Sequence, residues 1–453
     1  MKHTNIIQSK NPYTEQVLFE FTPFSADTIK EKLYTANLAY ENWRQASFEY
    51  RKELLYNVAA LLEERVEKYA SLISSEMGKP LSQAIAEVKK CATVCRFYAD
   101  NAEDFLKIKP IKTEAYKSYV HYAPQGAILG IMPWNFPFWQ VFRFSVPAIM
   151  AGNVAVLKHA SNVFGAAVAI EQLYKDAGLP NGVFTSLLIP SKDVEPVIAS
   201  PYITGVVLTG SEAAGSKVAA LAGKNLKKSV LELGGSNALI VMEDCDIENT
   251  LDACIQGRFL NTGQSCIAGK RLLIQKSIAK EFTRKLVDRM HDFNCGDPLD
   301  KNTFIGVLAR EDLAVKLDEQ VQKSIKMGAE VLTGGKREGA FYTPTLLTNV
   351  NLDMPVCKEE VFGPVLPVLT FDTLEEAINI SNATDFGLGV SIFTRDTALI
   401  ENNISRFHEG SVFINDFVKS HPSLPFGGVK RSGYGRELSR DGIMEFVNKK
   451  QFI

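Results

Sequence analysis

Cys266 stands in Phe259-Leu-Asn261-Thr-Gly263-Gln264-Ser-Cys266, where two side-chain amides and a glycine beside a thiol make a poor helix interior but a workable loop exposing sulfur and a backbone N–H. A cysteine in apolar surroundings is ordinarily an inert core residue. As a nucleophile it needs a donor for an oxyanion and a base. Glu232 ends the apolar run Val230-Leu231 and precedes Leu233-Gly234-Gly235. Desolvation there would raise its pKa and suit it to general-base work near neutrality; a lysine partner, or hydrogen bonds to the following turn, would account for it equally well. In Met132-Pro133-Trp134-Asn135-Phe136-Pro137, two prolines stiffen the backbone around an amide, as the presentation of a donor requires and as a plain turn would also show. Gly210-Ser211 opens Gly-Ser-Glu-Ala-Ala-Gly215-Ser-Lys217, whose order departs from the Gly-Lys-Ser/Thr of an ATP loop, and no Gly-x-Gly-x-x-Gly is present. What remains is a set of free N–H groups at a helix start, suited to a pyrophosphate and also routine at strand-to-helix turns.

These residues need a scaffold, and the patterning supplies one. From Ser25 to Leu106, Leu54, Val58, Leu61, Leu62 and Val66 recur at three- and four-residue spacing, and Gly78-Lys79-Pro80 punctuates the helical stretch before Ile85, Val88, Ala92 and Cys95 resume it. Short apolar runs follow at Ala127–Met132, Asn153–Leu157, Ser186–Ile189, Ile203–Leu208 and Val230–Leu233, alternating with helical segments such as Val163–Ala177. That rhythm predicts an α/β fold with a mostly parallel sheet covered on both faces. A second alternating region starts at Asn237–Met242 and continues through Gly269–Ile274, and Glu445–Ile453 reads as an edge strand.

The chain has 453 residues, a net charge of −2, 46% hydrophobic and 23% charged residues and seven cysteines. Such a composition excludes collagen-like, low-complexity and wholly disordered classes, and the balanced charge leaves no footprint for nucleic acid or an anionic membrane surface. Gly126–Gly152 is the most apolar stretch, but Asn135, Arg143 and three prolines interrupt it, so a membrane span is not expected. Seven is an odd count and too sparse for a disulfide framework, which predicts free thiols and a cytoplasmic protein without a signal peptide. Cys91 and Cys95 would share a helix face without a further ligand pair nearby, so no metal site is expected and the cysteines other than Cys266 read as small buried hydrophobes.

Taken in order, Pro133-Trp-Asn-Phe-Pro137, Leu231-Glu-Leu-Gly-Gly235, Asn261-Thr-Gly-Gln-Ser-Cys266, Glu360-Val-Phe-Gly-Pro364 and Pro425-Phe-Gly-Gly-Val-Lys430-Arg-Ser-Gly433 resemble the aldehyde dehydrogenase superfamily over nearly the whole chain. The resemblance implies a dinucleotide-binding domain (residues 1–105 and 125–232), a catalytic domain (233–431), a small β oligomerisation element (106–124 and 432–453), and a homodimer or homotetramer. It implies that Cys266 attacks an aldehyde carbon, that Asn135 and the Cys266 N–H hold the oxyanion, and that Glu232 activates the water that hydrolyses the resulting thioester. It places Trp134, Lys158, Ser161, Gly210, Ser211, Leu233, Glu360 and Phe362 on the cofactor. Where many NAD-preferring members carry a glutamate, this chain has Ser161, whose hydroxyl together with Lys158 can take a 2′-phosphate, so NADP or NAD is expected with NADP favoured.

Lys158-His159-Ala160-Ser161-Asn162-Val163 is similar to the short-chain bacterial type of succinate-semialdehyde dehydrogenase, which implies oxidation of succinate semialdehyde to succinate. Arg143 lies eight residues past Asn135, about two helical turns on, where a planar fork could hold a substrate carboxylate or instead pair with a structural acid. Ser423 matches a family position that meets the same carboxylate. Two alternatives stay open: a broader aldehyde dehydrogenase acting on glutarate semialdehyde or neutral aldehydes, and a nicotinamide-independent thiol esterase using Cys266 and Glu232.

Overall fold

A computed structural model describes residues 6–453. Helices Ala26–Trp43, Phe48–Glu64, Val66–Met77 and Leu81–Phe105 form the amino-terminal layer; Ser25 and Ser47 cap the first two by accepting hydrogen bonds from the N–H groups of Thr28 and Tyr50. Gly78 ends the third helix at φ 77°, the left-handed conformation that glycine adopts without strain, and its N–H donates to the Ser74 carbonyl.

The first sheet has six strands in the order Gly433–Tyr434, Lys228–Glu232, Ile203–Thr209, Ala127–Met132, Val154–His159, Phe184–Ser186. All are parallel except the first, which runs antiparallel to Leu231–Glu232. From Ala127–Met132 the chain builds outward through Val154–His159 to Phe184–Ser186, then returns to place Ile203–Thr209 on the other side. The order therefore reverses between Ala127–Met132 and Ile203–Thr209, and the crevice beyond the carboxyl ends of such strands is where open α/β sheets bind ligands. Trp134 and Asn135 follow one of these strands, and Gly210 and Ser211 the other.

After Glu232 the chain crosses directly into a second sheet through residues 233–236. This sheet has seven strands in the order Glu330–Thr333, Thr345–Thr348, Val365–Phe371, Gly269–Gln275, Asn237–Val241, Val390–Phe393, Val412–Ile414, parallel throughout except at Glu330–Thr333. A third, antiparallel sheet contains Val447–Phe452, Tyr119–Pro124 and Lys109–Pro110.

Three expectations need adjusting. The run Ser186–Ile189 is not a strand; pairing occupies Phe184–Ser186, and Leu187–Ile189 lead away from the sheet edge. Residues 432–453 do not all join the small β element, because Gly433–Tyr434 extends the first sheet and Ser439–Met444 is a helix packed against Leu81–Phe105. Cys295 is exposed, unlike the buried Cys91, Cys95, Cys245, Cys254 and Cys357; all seven cysteines are free. Among the described residues, no helix is long and apolar enough to cross a membrane and no cluster of potential ligands could hold a metal ion.

Candidate active site

Helix Ile247–Phe259 delivers the chain into the cysteine loop, where Asn261, Thr262 and Gly263 all adopt the left-handed region (φ 57°, 55° and 71°). Two of the three are not glycine, so the loop stores strain that its surroundings must hold. Asn261 does much of this, donating through Nδ2 to the carbonyls of Asn135 (2.8 Å) and Gln264 (3.0 Å) while its N–H donates to Gln83 Oε1 (2.6 Å). The Gly363 N–H donates to the Gly263 carbonyl, and a Cβ on Gly263 would sit 2.3 Å from the Gly363 oxygen, so this backbone contact admits only glycine. Buried Arg258 donates to the Gly363 carbonyl from behind.

Cys266 emerges where two cavities meet. A larger one of about 650 Å³ and a smaller one of about 400 Å³ share Gln140 and Cys266 in their walls. Gln140 fixes the oxyanion donor, because its Nε2 donates to Asn135 Oδ1 (3.0 Å) and so turns the Asn135 amide nitrogen toward the cysteine loop. One Asn135 N–H donates to the Gln264 carbonyl at 3.0 Å, which leaves the second for a ligand. The Pro133–Pro137 turn is held by buried His159, a residue read from the sequence only as part of a family marker. Its Nδ1 accepts from the Ala160 N–H, so its Nε2 donates to the Pro137 carbonyl at 2.9 Å, and burial pulls its pKa down to about 4, keeping the ring neutral. Although Cys266 reaches both cavities, burial pushes its thiol up to about 11, an effect that Arg143 and Lys270 partly offset.

Glu232 is buried, with neither carboxylate oxygen hydrogen-bonded, and burial and then Glu437 raise its pKa well above the usual range, against the pull of Arg143 and Arg436. Of the two possibilities open from sequence, the structure shows the desolvated acid. It also gives Arg143 an acidic partner. Its Nε lies 2.5 Å from Glu437 Oε2, its Nη2 donates to Thr209 Oγ1 at 3.1 Å, and its guanidinium covers the Phe426 ring. The side chain lines the smaller cavity and pairs with the structural acid Glu437, while Nη1 keeps its donors. Ser423 is likewise not in either cavity wall: it is exposed, and its N–H donates to His421 Nδ1. Ser420, three residues earlier, faces the smaller cavity instead.

The larger cavity gathers Trp134, Gly210, Ser211, Leu233, Glu360 and Phe362. Ser211 caps helix Glu212–Lys224, accepting from the Ala214 N–H, and Leu233 packs against Gly215 on the same helix. Trp134 and Phe362 meet edge to face, 5.7 Å between centroids. Glu360 Oε1 accepts from Lys270 Nζ (2.6 Å) and the Gly235 N–H (3.1 Å), leaving Oε2 for a hydroxyl-bearing ligand. Lys158 and Ser161 lie outside this wall. Lys158 is buried at the end of its strand, donates to Ser191 Oγ at 3.3 Å, makes no ion pair among the described residues, and is brought down to about 8 by desolvation.

Lys270, Gln140, Glu437 and Glu87 were not singled out from sequence. Glu87 Oε1 accepts from the N–H groups of Phe138 and Trp139 and so caps the helix Trp139–Met150 that carries Gln140 and Arg143. A carboxylate 51 residues away from the turn it caps leaves no local signature. Lys270, four residues after Cys266 and beside Arg271 in a strand of otherwise mostly apolar residues, was the one visible hint.

A profile described as the aldehyde dehydrogenase family matches residues 1–452. The chain is 44% identical over 450 residues, 98% of each chain, to a Mycobacterium tuberculosis protein named succinate-semialdehyde dehydrogenase (NADP+) 1. It is 43% identical over 443 residues, 97% of this chain and 96% of the other, to the Escherichia coli K12 succinate semialdehyde dehydrogenase (NAD(P)+) Sad. A crystal structure of succinic semialdehyde dehydrogenase from Streptococcus pyogenes in complex with NADP+ superposes with a TM-score of 0.96 at 36% identity, covering 99% of both chains.

The raised thiol pKa predicts that iodoacetamide alkylates Cys266 roughly tenfold faster per pH unit between neutrality and pH 9, following the thiolate fraction. Peptide mapping against Cys266→Ala separates this from exposed Cys295; a rate flat above pH 7 would contradict it. Breaking the buried Arg143–Glu437 pair with Arg143→Leu is expected to lower unfolding free energy by about 3–5 kcal/mol. Urea titration measures this, and a loss within error would show that the pair does not hold the site.

Proposed function

The chain belongs to the aldehyde dehydrogenase family, and on that footing we propose that it oxidises succinate semialdehyde to succinate, with NADP+ preferred over NAD+ as hydride acceptor. The observation that carries this reading is the meeting of two cavities at one thiol: a large one bounded by a helix start and two aromatic rings, and a small, largely apolar one with cationic side chains in its wall.

The residues present fit a dinucleotide. The free N–H groups at the start of helix Glu212–Lys224 lie at the sheet's switch point, as a pyrophosphate requires. Glu360 Oε2 is open toward the same cavity. Lys158, Ser191 and Ser161 offer an ammonium without a carboxylate partner and two hydroxyls, which favours a 2′-phosphate over a bare ribose. When bound, the nicotinamide accepts the hydride released from the substrate.

Sγ of Cys266 adds to the aldehyde carbon as its S–H bond breaks, and the proton passes to solvent water. The second N–H of Asn135 and the Cys266 backbone N–H donate to the oxygen as it becomes an alkoxide. Hydride departure converts the tetrahedral adduct to a thioester on Cys266. Glu232, once deprotonated, removes a proton from water attacking the thioester carbonyl; the C–S bond breaks, succinate leaves, and the thiol is restored. Arg143, between Glu437 and Thr209, keeps positive charge near Glu232 and Glu437 and so favours the ionised form of each.

Free cysteines throughout the chain support a reducing, cytoplasmic location. The small third sheet supports assembly into a homodimer or homotetramer: both edges are open, and Ile108, Tyr116, Phe452 and Ile453 are exposed around it. Light scattering behind a sizing column checks the mass; a monomer at micromolar concentration would refute assembly.

Initial rates over a panel of aldehydes with each cofactor test the catalytic reading. Succinate semialdehyde with NADP+ is expected to give the highest kcat/KM, Cys266→Ala to abolish turnover, and Asn135→Ala to lower kcat by ~10²-fold or more. Equal efficiency with neutral aldehydes would favour the broader enzyme, and hydrolysis without reduced cofactor the thiol esterase.

A further inference from the structure

The start of helix Glu212–Lys224 carries a charge of its own. Ser211 Oγ takes the N–H of Ala214, which leaves the N–H groups of Glu212 and Ala213 without an acceptor inside the helix. Glu212, the first helical residue, sets a carboxylate beside them, where it complements the helix dipole. A pyrophosphate brought to the same helix start meets that carboxylate as a like charge. Glu212 and Ser211 both line the larger cavity, so a dinucleotide there needs a compensating cation. Arg431 is placed to be that cation. Its Nη1 donates to Glu212 Oε1 at 2.7 Å, its Nε lies 3.8 Å from Asp385 Oδ2, and all three residues are in the wall of the larger cavity. Four of the five guanidinium N–H donors make no hydrogen bond among the described residues. The backbone beneath is held, because the Arg431 N–H donates to the Asp385 carbonyl at 3.0 Å. Arg310, in the same wall, is instead taken by both oxygens of Asp312. The Arg431 side chain is 58% exposed and that of Glu212 43%; an ion pair so open to water adds little to stability, so holding the fold does not account for it.

We propose that Arg431 is a further cofactor-binding residue, whose guanidinium holds the pyrophosphate while neutralising Glu212 at the helix start. The inference rests on the dinucleotide reading above and deepens it. Asp385, which fixes Arg431, lies between helix Leu374–Asn382 and strand Val390–Phe393 of the second sheet, whereas Glu212 follows a strand of the first. The pyrophosphate is therefore gripped from both sides of the cavity.

The test is fluorescence titration with NADPH and with NADH, without aldehyde, in wild type, Arg431→Met, Arg431→Lys, Glu212→Gln and the double variant Arg431→Met/Glu212→Gln. Arg431→Met is expected to raise the Kd of both nucleotides by the same factor, roughly 10-fold or more, as loss of a charge-assisted hydrogen bond does, and Arg431→Lys to keep part of the affinity. Glu212→Gln is expected to bind at least as tightly as wild type, and the double variant to recover part of the loss, because the unneutralised carboxylate is gone. Wild-type affinity in Arg431→Met overturns the proposal. So does a Glu212→Gln variant weakened as much as Arg431→Met, since that marks a pair that only ties the two walls, or a double variant no tighter than Arg431→Met. A loss confined to NADPH places Arg431 on the 2′-phosphate and overturns it too. If wild type binds neither nucleotide, the dinucleotide reading fails and the role of Arg431 with it.

Discussion

One buried ammonium, Lys270 Nζ, donates to the Gly235 carbonyl (2.6 Å), the Cys266 carbonyl (3.0 Å) and Glu360 Oε1 (2.6 Å). Those acceptors belong to the crossing between the two sheets, to the loop carrying the thiol and to the wall of the larger cavity. The contact is close enough that a Cβ on Gly235 would lie 2.8 Å from the Cys266 carbonyl oxygen, which only a glycine permits. Removing this lysine charge from water is unfavourable unless every donor finds a partner, and here three acceptors satisfy it. The tie joins the crossing after Glu232 to the cysteine loop and sets the aim of Glu360.

Around it the site separates stiff parts from open ones. The oxyanion donor, its Gln140 support and the left-handed turn at Asn261–Gly263 are each held by hydrogen bonds within the protein, so their geometry is set before any ligand arrives. The titrating groups are the reverse: Glu232 has no hydrogen-bond partner, and burial raises both its pKa and that of the Cys266 thiol, so both resist ionisation in the free protein. Two acids against one arginine, with Arg436 nearby, keep the balance of protons adjustable. Such an arrangement suits a cycle in which one group must give up a proton to attack and another must accept one to hydrolyse.

Much of this was legible in the residues themselves. The short apolar runs located four of the five parallel strands of the first sheet, because a strand buried on both faces must be apolar throughout, and Gly78 announced its own left-handed cap. Cys266, Glu232 and Asn135 stood out by the glycine, proline or amide residues beside them, and their roles came from the resemblance of the ordered motifs to the aldehyde dehydrogenase superfamily. Arg143 and Ser423 were harder, since periodicity places a residue on a helix face but says nothing of which acid reaches it; Glu437, almost three hundred residues on, decides that for Arg143.

The most direct test of the account is to find the covalent intermediate on the assigned sulfur. Glu232→Gln, mixed with succinate semialdehyde and NADP+ and quenched in acid, should release one equivalent of NADPH per subunit in a burst and carry a succinyl thioester on Cys266, located by tandem mass spectrometry. A burst with the acyl group on another residue such as Cys295, or full turnover with no acyl-enzyme detected at any time, would contradict it.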